Sequence, residues 1–251
     1  MTPIVSDLFL SVTPIRTRRE NGQGTGFFYR KNNHIYLITN RHVIVDERDS
    51  YFPTSIDIKI HTNPSDLRQN QIISIQLYND NNIPYWLEHP DLIIDDYGNP
   101  IPDIVAIPLQ DVTNWAIRPF SNNDFGPNDL IVLPGEDLIV LGYPHGFYDE
   151  LFNLPIIRKA SIASAYGVPF RGHPFFVIDA KLHPGTSGSP VLTKPTNIFV
   201  RKSGTHIRSV PVAFLLGIHS ASFEPLELNV VYYSYLIEEI ILSNCRGRLR
   251  T

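Results

Sequence analysis

Apolar residues in this chain come in short runs of about four to eight residues, each closed off by Gly, Pro, Asn or Asp. The 21 prolines and 15 glycines are spread along the whole length. That punctuation works against long helices and favours many short strands joined by turns. Leu8 to Arg16 reads as a strand, and Asn21 to Gly26 as a glycine-rich turn without the lysine of a phosphate loop. Phe27–Arg30 and Ile35–Thr39 read as a hairpin with its turn over Lys31–His34, followed by a helical turn at Asn40–Ile44. Ile56–Ile60 and Ile72–Leu77 alternate apolar and polar, as half-buried strands do. Residues 79–102 are rich in Asn, Asp and Pro and read mainly as loop, whereas Ile104–Leu109 is a buried strand.

Asp111–Pro127 has little period and reads as the connection between two halves. Strands of the second half are expected at Leu138–Leu141, Ile156–Ala165, Phe175–Ile178, Val191–Thr193, Val212–His219 and Val230–Tyr233. Only Tyr235–Ser243 has helical period, with Leu236, Ile237, Ile240 and Ile241 on one face. The sum is an all-β protein of two similar halves with a C-terminal helix.

Composition narrows the class. With 251 residues, 43% hydrophobic and 18% charged, the chain has length enough for a sizeable core. Cys245 is the only cysteine, so no internal disulfide contributes. The net charge of −4 gives no footprint for nucleic acid. Arginines at 16, 18 and 19, and at 246, 248 and 250, read as solvated surface. Met1–Asp7 lacks the basic and apolar regions of a secretory signal. No apolar run approaches the ~20 residues that span a bilayer. We therefore expect a cytoplasmic protein without a membrane partner. The nine histidines show no metal-ligand spacing, so neither metal nor cofactor is expected.

Three segments carry residues suited to nucleophilic catalysis. His183-Pro184-Gly185-Thr186-Ser187-Gly188-Ser189-Pro190 presents a serine between glycines. Alone, that run reads more readily as a turn. Thr39-Asn40-Arg41-His42 puts a histidine just past a buried strand, and Pro102-Asp103-Ile104-Val105-Ala106 puts an acid at the mouth of another. Asp91, Asp95 and Asp96 compete for the acid's role, but only Asp103 directly precedes an apolar run. A serine hydroxyl needs a base within hydrogen-bond reach, and the base needs an acid to fix its tautomer.

In the order His, Asp, Ser, and in these motifs, the chain resembles the chymotrypsin-like (trypsin-fold) serine peptidases. Gly-x-Ser-Gly-x-Pro is met at every fixed position from Gly185 to Pro190. Leu216-Gly217-Ile218-His219-Ser220 is similar to the glutamyl endopeptidases, whereas Leu141–Pro144 and Ile178–Gly185 are similar to the HtrA-type peptidases. The resemblance implies two six-stranded antiparallel β-barrels with the site between them: residues 1–115 with His42 and Asp103, and 116–251 with Ser187 and the specificity pocket. It implies peptide-bond hydrolysis through an acyl-enzyme, with Gly185 and Ser187 amides as the oxyanion hole. Ser220, Ala221 and Ser222 would bind substrate backbone. His219 would read a Glu, or less favourably a Gln, at P1, with Lys181, Leu182 and His183 alongside. The family's helper threonine is Leu182 here, a departure.

Thr186 stands where trypsin-type zymogens carry an aspartate, so activation by a freed N-terminus is not expected. The expected partner is a protein or peptide substrate. A regulatory partner, narrow specificity or a closed resting cleft would each restrain such an enzyme. The alternative reading is an inactive relative that holds peptides without cutting them.

Overall fold

The computed structural model describes residues 7–17, 22–47, 49–223 and 225–248. Arg18, Arg19, Arg250 and Met1–Ser6, for which the sequence raised expectations, lie outside them. The N-terminal unit contains β1 (Val12–Arg16), β2 (Gln23–Lys31), β3 (His34–Thr39), β4 (Ser55–His61) and β5 (Asn70–Gln76). It continues with β6 (Leu87–Glu88), β7 (Ile93–Ile94), β8 (Pro100–Ile101) and β9 (Val105–Leu109), and the helical turn α1 (Arg41–Ile44) follows β3. The C-terminal unit contains β10 (Asp137–Gly142), β11 (Ile156–Ile162), β12 (Phe175–Asp179), β13 (Pro190–Thr193), β14 (Thr196–Arg201), β15 (Gly204–Val212), β16 (Leu215–Phe223) and β17 (Leu228–Tyr233). The helix α2 (Tyr235–Ser243) ends it.

The C-terminal unit closes as a six-stranded barrel in the order β10-β11-β12-β17-β16-β13. The N-terminal unit is a curled seven-stranded sheet, β5-β4-β1-β2-β3-β9-β6, rather than a second closed barrel of six. Each has its own core. Ile15, Leu37, Ile58 and Trp86 fill the first, and Val140, Phe176, Ile178 and Leu216 the second. A third cluster joins the units: Phe27, Ile104, Leu141 and Tyr143 meet the apolar face of α2, where Leu236, Ile237, Ile240 and Ile241 are all buried as their spacing predicts.

Three local readings need correction. Gly24 and Gly26 lie inside β2, opposite Ile15 and Thr13 of β1, not in a turn. A Cβ at Gly26 would meet Leu37 at 2.7 Å and one at Gly24 would meet Val43 at 2.7 Å, so close packing accounts for these glycines. A 3₁₀ turn, Asp7–Ser11, replaces the expected start of β1. Residues 212–219 are not one strand: β15 ends at Val212, pairing with β14 in a separate ribbon, and β16 begins at Leu215. The Arg248 side chain is exposed as expected, and its guanidinium also meets the buried Glu88.

Candidate active site

Strand register brings the first two residues together. In the antiparallel pair of β3 and β9, Thr39 lies opposite Val105. The chain leaving β3 and the chain entering β9 therefore share one end of the sheet, which carries His42 and Asp103. His42 Nδ1 lies 2.6 Å from Asp103 Oδ2, and the His42 backbone N–H donates to Oδ1 at 3.1 Å. Asn40 Nδ2 donates to the Asp103 carbonyl at 2.7 Å, so the acid is held at backbone and side chain alike. Asp103 is 4% exposed. Burial pushes its carboxyl upward, but the His42 charge and hydrogen bonds from His42 and Ser220 outweigh it, leaving the group below the ordinary carboxylate range. The competing acids fall away: Asp95 accepts the Tyr97 and Asn99 amides of its own turn, and Asp91 and Asp96 are exposed.

The third residue comes from the barrel. β13 pairs with β16, Pro190 opposite Ile218, and the ladder continues as Gly188 N–H to His219 O and His219 N–H to Ser189 O, both 2.9 Å. Beyond His219, β16 bulges against β17: the register passes from His219↔Val231 to Ser222↔Asn229, two residues opposing one. A bulge re-aims side chains, and here the Ser220 hydroxyl donates to Asp103 Oδ2 at 2.6 Å. The Ser220 carbonyl in turn accepts the Ser187 hydroxyl at 3.1 Å. Ser220 thus ties the serine of one unit to the acid of the other.

The loop around Ser187 is possible only with glycine at two points. Gly185 has φ +93°, and a Cβ there would lie 2.5 Å from the Tyr143 carbonyl. Gly188 has φ +85°, and its Cβ would lie 2.0 Å from the Thr25 carbonyl. The amides of Gly185 and Ser187 donate to no other group among the described residues. Thr186 is buried and its hydroxyl donates to the His183 carbonyl at 2.7 Å, so it has no need of a charged partner.

His219 is 3% exposed. Its Nδ1 donates to the Thr186 carbonyl at 3.0 Å, which leaves Nε2 as the unprotonated nitrogen of the neutral ring. Nε2 is buried and makes no hydrogen bond among the described residues. Asn229 neighbours the ring, but its amide is committed to the Ala180 and Glu227 carbonyls. Burial pulls His219 down to about 4. Ala221 and Ser222 are exposed, and the Ser222 hydroxyl donates to Asn229 Oδ1 at 2.8 Å. Lys181 is exposed beside Glu227, Leu182 packs on the barrel core, and the His183 ring lies 5.3 Å from that of His145.

Pattern reading missed the residues that lock the loop to the first unit. Thr25 N–H donates to the Ser187 carbonyl at 2.8 Å, and its hydroxyl donates to the Gly185 carbonyl at 2.8 Å. Thr39 donates to the Thr25 carbonyl at 2.8 Å. The flanking glycines of Gly24-Thr25-Gly26 were the only signal in the sequence.

Solved structures similar to this one are proteases. HtrA-type AlgW with a tripeptide superposes with a TM-score of 0.55 at 17% identity, covering 95% of this chain and 63% of AlgW. The serine endoprotease of Yersinia pestis gives 0.53 at 17% identity, covering 94% and 62%. An inactive form of Rv3671c from M. tuberculosis gives 0.50 at 16% identity, covering 96% and 90%. The chain spans less than two thirds of the first two, and at these identities the likeness establishes the fold alone. No curated protein sequence matches. The family model described as the trypsin-like peptidase domain matches residues 24–199, and the chain belongs to that family.

Proposed function

We propose that the chain hydrolyses peptide bonds through an acyl-enzyme on Ser187. His42 takes the hydroxyl proton and returns it to the leaving amine. Asp103 fixes the Nδ1–H tautomer and stabilises the imidazolium. Gly185 and Ser187 amides hold the oxyanion, where one donor is worth on the order of 10²–10³ in rate. The observation that carries this reading is the chain of contacts from His42 to Asp103 to Ser220 to Ser187. Ser220, Ala221 and Ser222 receive substrate backbone as an added strand.

For P1 we propose a Gln or Glu side chain read by His219, with Lys181, Leu182 and His183 on the adjoining loop. The tautomer orders the two. Nε2 carries a lone pair, which matches the amide N–H of Gln. A Glu carboxylate offers no proton, so its binding requires uptake of one by the ring or the carboxyl. Gln is therefore favoured at neutral pH, the reverse of the order expected from resemblance.

A fluorophosphonate probe tests the chemistry. The parent chain labels and Ser187→Ala does not. A parent chain that fails to label, while still binding peptide, is the inactive relative.

A further inference from the structure

Segment 245–248 runs along β6, the outer edge of the N-terminal sheet. Glu88 N–H donates to the Cys245 carbonyl and Gly247 N–H to the Trp86 carbonyl, both at 2.9 Å, with Leu87 bridged to Arg246. Gly247 is buried against Trp86: a Cβ there would lie 2.1 Å from the indole Nε1. The segment therefore adds an antiparallel strand, and only glycine fits over the tryptophan.

Its last described residue reaches a cluster of charges built on a buried pair. Arg41 is 1% exposed and Glu88 0%. Arg41 Nε donates to Glu88 Oε2 at 3.2 Å, its Nη1 and Nη2 donate to Glu47 at 2.7 and 2.6 Å, and Nη2 also donates to the Arg248 carbonyl at 2.9 Å. The other Glu88 oxygen accepts Arg248 N–H at 3.0 Å and Nε at 3.1 Å. The buried pair is Arg41 and Glu88; Glu47 and Arg248 flank it and lend it hydrogen bonds that it does not take from solvent while buried.

Arg41 immediately precedes His42 on α1, a single turn of four residues. Glu88 lies opposite Val105 of β9, two residues past Asp103. Segment 245–248 thus reaches the base through Arg41 and the acid through β9. Without it, Glu88 retains one of its three donors, and the Arg41 guanidinium has reason to turn toward the free oxygen, drawing α1 with it. A displacement of the base of about 1 Å costs on the order of 10² in rate.

We propose that residues 245–248 form a strap that holds His42 in register with Asp103, with Arg41, Glu88 and Arg248 as positioning residues, so that undocking the strap switches the site off while the fold persists. This rests on the reading of His42 as general base.

The test uses full-length Gly247→Val, which expels the strap sterically with every charge intact, and Arg248→Ala and Arg248→Lys, which leave the glycine in place. A Trp115→Phe background makes Trp86 the sole fluorescent reporter of docking. The readouts are Trp86 emission, kcat, KM, fluorophosphonate labelling rate and the low-field proton resonance of His42 Nδ1–H. We expect Gly247→Val to shift Trp86 emission, broaden or lose the His42 resonance, and lower kcat and labelling about 10- to 100-fold with KM within about twofold. Arg248→Ala follows in the same direction, and Arg248→Lys recovers part of the loss. An unchanged His42 resonance and kcat within about twofold of the parent, in either loss variant, overturns the proposal. Should Gly247→Val not fold, Arg248→Ala decides, since that side chain is 48% exposed. A parent chain that shows the His42 resonance but does not label overturns the peptidase reading instead, and the resonance still reports the strap.

Discussion

The hydroxyl of Ser220 donates to Asp103 Oδ2 across 2.6 Å, on the same oxygen that His42 Nδ1 meets at 2.6 Å. One carboxylate oxygen thus receives a hydrogen bond from each of the two β units. The Ser220 carbonyl takes the Ser187 hydroxyl as well, so a single barrel residue touches both ends of the arrangement.

Removing that donor by Ser220→Ala deprives a buried carboxylate of one hydrogen bond, worth about 1.5–3 kcal/mol when one partner is charged. We expect kcat/KM to fall on the order of tenfold. Asp103→Asn, which disrupts the tautomer control itself, is expected to cost about 10⁴ in kcat. Steady-state hydrolysis of a chromogenic peptide measures both. Equal effects of the two substitutions would show that Ser220 does more than hold the acid.

Acid stability follows from His219. Its folded value of about 4 lies below the ordinary histidine value of 6.5. Between those values the unfolded chain binds a proton that the native chain does not, so stability falls as pH drops from 6.5 toward 4. The loss is on the order of 3 kcal/mol. Asp103, also lowered, contributes stability that is present above its unfolded value and is lost only at lower pH still. Urea denaturation across this range measures the slope, and His219→Gln is expected to flatten it between 6.5 and 4. An unaltered slope in that variant assigns the dependence elsewhere.

P1 selectivity is expected to depend on pH in one direction. Because Glu binding takes up a proton that Gln binding does not, the ratio of kcat/KM for Glu over Gln substrates should rise by up to about tenfold per pH unit as pH falls below neutrality. Paired peptides differing only at P1 give the ratio. A ratio that falls with pH, or a preference for Arg or large apolar residues, excludes the assignment of His219.

Gly188→Ala is expected to be far more damaging than an ordinary surface change. The new Cβ meets backbone at 2.0 Å, and the residue is held at φ +85°. Backbone strain alone costs about 1–3 kcal/mol, and the clash with Thr25 adds to it. Thermal denaturation should show a drop of several degrees with fluorophosphonate labelling lost. Gly185→Ala, 2.5 Å from the Tyr143 carbonyl, should behave alike.

Thr186 is satisfied by the His183 carbonyl, so no freed N-terminus is needed to order the Ser187 loop. The chain should label at its full rate before any N-terminal trimming. Labelling that appears only after limited proteolysis contradicts this.

The sequence by itself was enough for the class of fold and for singling out His42, Asp103 and Ser187 as candidates. Short punctuated apolar runs made an all-β chain, the period of Tyr235–Ser243 made its helix, and local motifs around His42, Asp103 and Ser187 stood out because a nucleophile, a base and an acid each need a distinctive neighbourhood. Only the tertiary structure decided what lies between distant segments. The curled, seven-stranded form of the first sheet depends on which edges find partners. The β14–β15 ribbon escaped because its strands lie outside both main sheets and lack one consistently buried face. Thr25, Ser220 and the cluster of Arg41, Glu88 and Arg248 join residues from separate parts of the chain. Arg248, grouped with surface arginines by its neighbours in sequence, is exposed as expected, yet it also meets the buried Glu88. Spacing along the chain reports local periodicity, whereas a buried charge is satisfied by whatever the fold brings to it, and that partner has no mark in the linear pattern.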